Sequence, residues 1–249
     1  MESIYNYIIT TDTRKEYLVG LKNYSSYSQT GEFLANEIST IIERLGSDKF
    51  AAVVTDAASN CNLARQKTQE MYPHIWNVQC AAHAINLIAA DLVKLDELKK
   101  LIANCGKINN FFNSSHLSHS LLIKRFTNMK IKDSMIHAQP VFDWLLSEHY
   151  ESITNREIAN LIANEDFFIT CRLVRSLWQP IKEIIYALET NQATLADCFA
   201  YLIKLAIAIK RLPETNIFKA SAIHIFNQRY EEFLHPLYIL AYYIHPEYR

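Results

Sequence analysis

The residues best placed to do chemistry stand in one stretch, Phe50 to Ala90. It opens with the apolar run Phe50-Ala51-Ala52-Val53-Val54-Thr55, which has the length and β-branched content of a buried strand and stops at a carboxylate, Asp56. A carboxylate there lies at a strand's C-terminal edge, where open α/β sheets gather their ligands; its competing role is to cap the helix that follows. Further on, Cys80 and His83 form a Cys-x-x-His pair, with Asp91 eight residues beyond on nearly the same helix face. The pair could ligate zinc with Cys61 or His74, although a structural zinc needs four ligands and no second Cys/His pair at finger-like spacing exists. Alternatively, His83 is a hydrogen-bonded core histidine and Cys80 a small buried hydrophobe.

The elements that must position these groups follow from periodicity. Ala57-Ala58-Ser59-Asn60 opens a helix reaching about Met71, Pro73 breaks the chain, Trp76 to Cys80 reads as a second strand, and Cys80 to His83 leads into another helix. Upstream, Ile4 to Thr10 and Glu16 to Leu21 flank a polar Thr11-Asp12-Thr13-Arg14 turn and predict an antiparallel hairpin. Thr30 reads as an N-cap for a helix carrying Phe33, Leu34, Ile38, Ile41, Ile42 and Leu45, with Gly46 as its stop. From His83 onward the pattern is helical: a turn is expected at Ser114 to His119, an irregular stretch at Phe126 to Pro140, and capping boxes at Thr154-x-x-Glu157 and Thr194-x-x-Asp197. Phe168 to Leu188, with Pro180 as a kink, and Ile217 to about Phe233 add two more helices.

The Val54-Thr55-Asp56-x-Ala58-x-Asn60 block, Pro73, and Cys80-Ala81-Ala82-His83-Ala84-Ile85-Asn86-Leu87 with Asp91 resemble the catalytic core of hAT-superfamily DNA transposases. The similarity extends through Thr194 to Phe199 and Pro236 to Arg249, covering nearly the whole chain. It implies an α/β plus all-α fold: an incomplete ribonuclease H-like mixed sheet with flanking helices over residues 1–113, followed by a helical insertion region over 114–249. It further implies that Asp56 is the second of three carboxylates holding Mg²⁺ or Mn²⁺ for DNA strand cleavage and transfer, that Cys80 and His83 lie beside the DNA, and that the protein is nuclear. In such proteins a strand with the first aspartate precedes the hairpin and a glutamate follows the insertion. The chain is therefore expected to be a truncated or decayed transposase, with a gap or a repaired pairing in its sheet, inactive by itself and doubtful as a metal binder. The alternatives are a domesticated non-catalytic module for DNA binding, protein interaction or self-association, and an unrelated helical scaffold. A Thr-Arg-Trp-like motif is also expected; Lys124-Arg125-Phe126 and Phe142-Asp143-Trp144 are its nearest counterparts.

Composition bounds these readings. A formal net charge of -1 over 249 residues gives no global attraction to nucleic acid. One region is basic: between Lys94 and Asp133, eight Lys/Arg face three Asp/Glu. Lys99, Lys100, Lys107, Lys124, Arg125, Lys130 and Lys132 are its candidate phosphate contacts, of which Lys99, Lys100, Lys124 and Arg125 are the leading ones; a solvated face is the commoner explanation. The 5 cysteines are odd in number and widely spaced, which predicts a reducing compartment. Apolar runs such as Leu237 to Ile244 are too short to cross a bilayer, so a membrane partner is not expected.

Overall fold

A computed structural model describes residues 2–129, 138–190 and 192–248. The β-branched and aromatic segments at the start form β1 (Ile4–Thr10) and β2 (Glu16–Asn23), paired antiparallel from Ile4↔Asn23 to Thr10↔Glu16 with a bulge after Tyr7. Helix α1 (Gly31–Leu45) begins where the Thr30 side chain accepts the Phe33 N–H and ends at Gly46, whose φ of 97° is open to glycine at little cost. Then come β3 (Ala52–Thr55), α2 (Ser59–Met71), β4 (Trp76–Gln79) and α3 (Ala81–Leu92). Strands β3 and β4 pair in parallel, from Ala52↔Trp76 to Thr55↔Gln79.

The remaining helices are α4 (Asp96–Ser114), α5 (His116–Met129), α6 (Gln139–Glu148), α7 (Arg156–Ile162), α8 (Glu165–Leu188), α9 (Leu195–Lys210), α10 (Lys219–Phe233) and α11 (Pro236–Ile244). The described residues are thus mostly helical, with a small mixed α/β region made of two separate two-stranded sheets. Among the described residues the expected mixed sheet takes the form of these two pairs, with no hydrogen-bonded rung joining one to the other. No helix among the described residues is long and apolar enough to cross a membrane.

Two compact units emerge. The first comprises the chain up to Leu87, Glu183–Lys204 and the chain from Asn227 onward. In it, α1 lies against the hairpin through buried Tyr24, Leu34 and Ala35, with Tyr5, Tyr7 and Phe33 around them. Helices α1 and α2 approach so closely that a Cβ added at Gly31 would stand 2.6 Å from the Leu63 Cβ, so glycine is required by contact. Tyr238 of α11 is buried against Val78 and Ala81, and its hydroxyl donates to the Gln79 carbonyl at the end of β4.

The second unit, Ile88–Lys182 with Leu205–Phe226, is helical. Phe112, Phe142 and Phe168 form its aromatic spine, with successive ring centroids 5.5 and 6.1 Å apart. Buried Asn216 donates to the Leu173 carbonyl and Ser176 Oγ, both at 3.2 Å, and accepts the Phe218 N–H.

Two details differ from the sequence reading. The α7 cap is Asn155, not Thr154: its Oδ1 accepts both the Glu157 and Ile158 N–H groups. The turn expected at Ser114 to His119 contracts to Ser115, because the Ser115 carbonyl already accepts the His119 N–H as the first bond of α5. The residues from 130 to 137, within the stretch expected to be irregular, lie outside the described residues.

The Thr194 capping box forms as expected: Asp197 Oδ2 accepts the Thr194 N–H at 2.8 Å while Thr194 Oγ1 accepts the Asp197 N–H at 3.1 Å. The other Asp197 oxygen accepts the Tyr248 hydroxyl. Burial alone would raise the Asp197 carboxyl, but the hydrogen bonds from Tyr248 and from the side chain and backbone of Thr194 outweigh it and hold the group below the usual aspartate range. A lowered folded value stabilises the fold above the unfolded value of about 3.9, and this contribution is lost as pH falls through the folded value. Thermal unfolding across this acid range should therefore show a pH slope that is reduced in Asp197→Asn; an unaltered slope would contradict the assignment.

Candidate functional site

The parallel register brings the C-terminal ends of β3 and β4 to the same edge. After the last rung, Thr55↔Gln79, the Cys80 N–H donates to the Thr55 carbonyl at 2.8 Å, so Asp56 and Cys80 emerge next to each other. Each strand then feeds a helix that starts at this edge, α2 at Ser59 and α3 at Ala81. The exposed Asp56 does not cap α2: its Oδ1 accepts the Ala58 N–H at 3.0 Å, and the helix begins one residue later without a side-chain cap. Asp56 thus fixes the turn between strand and helix, leaving its carboxylate at the sheet edge.

Arg65 is the residue that organises this edge, and sequence reasoning missed it. It is 2% exposed, on the inward face of α2 with Ala64 and Thr68. Its Nε donates to Asn77 Oδ1 at 2.7 Å, Nη1 to Thr55 Oγ1 and, at 2.7 Å, to the Asp56 carbonyl, and Nη2 to Asn62 Oδ1 at 3.2 Å. One guanidinium therefore ties α2 to both strands and to Asp56, the residue that follows β3. Every one of these acceptors is formally neutral; burial lowers the Arg65 pKa, and the nearby Cys61 and Asp56 counter that shift. The Cys61 thiol is pushed up to about 11 by burial, then by the charge of Asp56 and a hydrogen bond to it. The available signal for Arg65 was its spacing: a cation four residues after Cys61 and three before Thr68, on the stripe that faces the strands.

His83 is half-buried on the first turn of α3, and Cys80 is half-buried before it. Cys198, on α9 in the same unit, is pushed up to about 12 by burial, then by Cys80 and Asp197. His74 precedes β4, at the strand's other end, where its ring meets the Ser47 carbonyl at 2.9 Å. Among the described residues no three His, Cys, Asp or Glu side chains gather as a metal-holding group. Asp91 pairs with Lys94 at 2.6 Å.

The basic candidates belong to the second unit, on α4 and α5. Lys99 pairs with Asp96 at 3.3 Å and Lys107 with Glu157 at 2.5 Å. Lys100 and Lys124 are exposed and make no ion pair with the described residues. Arg125 lies over the Trp144 ring, 4.8 Å from its centroid, so the two nearest counterparts of the expected Thr-Arg-Trp motif touch. Its Nε is buried without a hydrogen-bond partner among the described residues. Lys130 and Lys132 lie outside the described residues.

Residues 1–108 match the model of a family described as a domain of unknown function, DUF659. The match takes in the hairpin, both parallel strands and the Asp56 edge. No curated protein matches the chain.

Arg65 and Asp56 should separate in stability measurements. Arg65→Met leaves four part-buried hydrogen bonds unmade and should cost about 2–4 kcal/mol in urea unfolding. Asp56→Asn keeps an acceptor for the Ala58 N–H on an exposed side chain and should stay within about 1 kcal/mol of the parent. Equal losses would contradict the division of labour.

Proposed function

We propose that this chain is an hAT-like transposase region whose nucleic-acid-facing surface is the shared carboxyl edge of β3 and β4. The observation that carries this reading is the parallel Thr55↔Gln79 rung, after which Asp56 and the Cys80–His83 pair leave adjacent strands. The family match over residues 1–108 is consistent with a transposase-like protein. In this reading Asp56 is the catalytic carboxylate retained from a metal-dependent strand-cleavage site, and Cys80 and His83 are DNA-proximal. Lys99, Lys100, Lys124 and Arg125 supply phosphate contacts, and the protein works in the nucleus.

The described residues do not fit a complete Mg²⁺ or Mn²⁺ site. Asp56 is one carboxylate with an oxygen committed to the Ala58 N–H, and a buried guanidinium bonds to its backbone. Hard divalent ions take six or more oxygen ligands, several from water but more than one from carboxylates or substrate phosphates. The chain by itself is therefore proposed to bind DNA without cutting it.

A second reading, an interaction module without catalysis, draws on a different observation. Ile4 and Ile8 on β1 and Leu18 and Leu21 on β2 share the hairpin face turned away from α1 and are 51–66% exposed. Contiguous apolar surface of this kind is characteristic of protein contacts.

Duplex binding by the purified chain should weaken with salt. Neutralising Lys99, Lys100, Lys124 and Arg125 should lower the salt slope by about 1 for each phosphate that is no longer neutralised. Absence of binding at low salt would favour the interaction module. Incubation with Mg²⁺ or Mn²⁺ should leave supercoiled DNA intact; nicking abolished by Asp56→Ala would overturn the non-catalytic assignment.

A further inference from the structure

The connection from β2 to α1 gathers three aromatic rings around a carboxylate, and none of these residues belongs to the Asp56 edge. A turn closed by the Tyr27 N–H on the Tyr24 carbonyl, at 3.0 Å, places the first two rings. Phe33 and Glu37 stand four residues apart on α1 and so share a face. The Tyr24 ring lies 4.9 Å from Phe33 and 6.2 Å from Tyr27, at 88° to both. Tyr27 and Phe33 are 5.7 Å apart and within 16° of parallel. With Lys22, Asn23 and Glu37 the rings line an open cavity of about 410 Å³.

Glu37 is fixed in this cavity by one of its two oxygens. The Tyr24 hydroxyl, itself 3.2 Å from the Tyr7 hydroxyl, donates to Glu37 Oε2, and Lys22 Nζ donates to the same oxygen at 2.6 Å. Hydrogen bonds from Lys22 and then Tyr24 hold the Glu37 carboxyl below the usual glutamate range, so it is charged at neutral pH. Glu37 Oε1 has no hydrogen-bond partner among the described residues. An unmet carboxylate oxygen selects a charged N–H donor, and ring faces attract cations. Tyr27, 61% exposed, offers such a face at the mouth of the cavity. The cation that both lies flat on a ring and donates N–H is the guanidinium of arginine. A quaternary ammonium has no N–H for Oε1, and the ammonium of lysine is more strongly hydrated.

We propose that this cavity docks one arginine side chain of a partner peptide, whose guanidinium lies against Tyr27 and Phe33 and donates to Glu37 Oε1. Lys22 is the built-in competitor: its exposed ammonium already shares the carboxylate and repels a second cation. Removing the Lys22 charge therefore strengthens docking, whereas removing the Glu37 charge or the Tyr27 ring weakens it. The site gives the chain a protein contact separate from the nucleic-acid surface proposed at the Asp56 edge.

The test titrates the full chain with blocked glycyl-arginyl-glycine at millimolar concentration and follows backbone amides by NMR. Saturable shifts are expected at Tyr27, Phe33 and Glu37, with weaker binding of the lysine counterpart and of tetramethylammonium. Tyr27→Ala, at an exposed position that leaves the fold intact, should weaken the arginine peptide by about two- to fivefold. Glu37→Gln, which keeps an oxygen for the Tyr24 hydroxyl, should weaken it by at least about tenfold. Lys22→Met should tighten it. The proposal is overturned by the absence of saturable shifts, by equal affinity for the lysine peptide or tetramethylammonium, by indifference to Tyr27→Ala and Glu37→Gln, or by weaker binding in Lys22→Met.

Discussion

A buried guanidinium must find acceptors, and Arg65 finds them where β3 and β4 end. The cost of removing its charge from water is large, and it is offset only while α2, Thr55, Asp56, Asn62 and Asn77 keep their places. The same constraint that orders the fold therefore orders the candidate site: the residue that carries Asp56's backbone cannot shift without stranding an arginine. The carboxylate itself remains free of the guanidinium and exposed, with its direction set by the short turn to Ala58. Structural and chemical roles are thus divided between neighbours, Arg65 holding the edge and Asp56 presenting a charge from it.

The division of the strands into two pairs has a comparable physical basis. Each helix covers one face of one pair: α1 closes over the hairpin, while α2 carries the Arg65 ties to β3 and β4. The close approach at Gly31 and Leu63 then fixes α1 against α2. Helix packing thereby joins two strand pairs that share no backbone rung. The opposite face of the hairpin keeps Ile4, Ile8, Leu18 and Leu21 in contact with solvent, which is why an interaction role stands beside the nucleic-acid one.

Much of this was legible because it is local. The hairpin, the Thr30 cap, the Gly46 stop, both short parallel strands and the Thr194–Asp197 box follow from side-chain period and capping chemistry within a few residues. The α7 cap was misread by one position because Thr154 satisfies the box spacing, yet Asn155 can accept two N–H groups with one oxygen. Arg65 escaped because a lone arginine on a polar helix reads as solvated until Asn77, twelve residues away and on another strand, is known to face it. The partners of the basic stretch were hidden for the same reason: Lys107 meets Glu157, fifty residues on, and Arg125 lies over Trp144. Adjacency of Asp56 and Cys80 was foreseen only as two strand ends; the parallel rung that makes them neighbours is a long-range pairing.

In the function proposed above, the Asp56 edge is the surface turned toward nucleic acid. Hydrogen–deuterium exchange of the full chain, with and without a saturating DNA duplex at low salt, measures this most directly. Bound DNA should slow exchange in the turn from Asp56 to Cys61 and in the first turns of α3 around His83, in addition to any protection on α4 and α5. Binding that protects α4 and α5 while leaving both of those segments unchanged would contradict it.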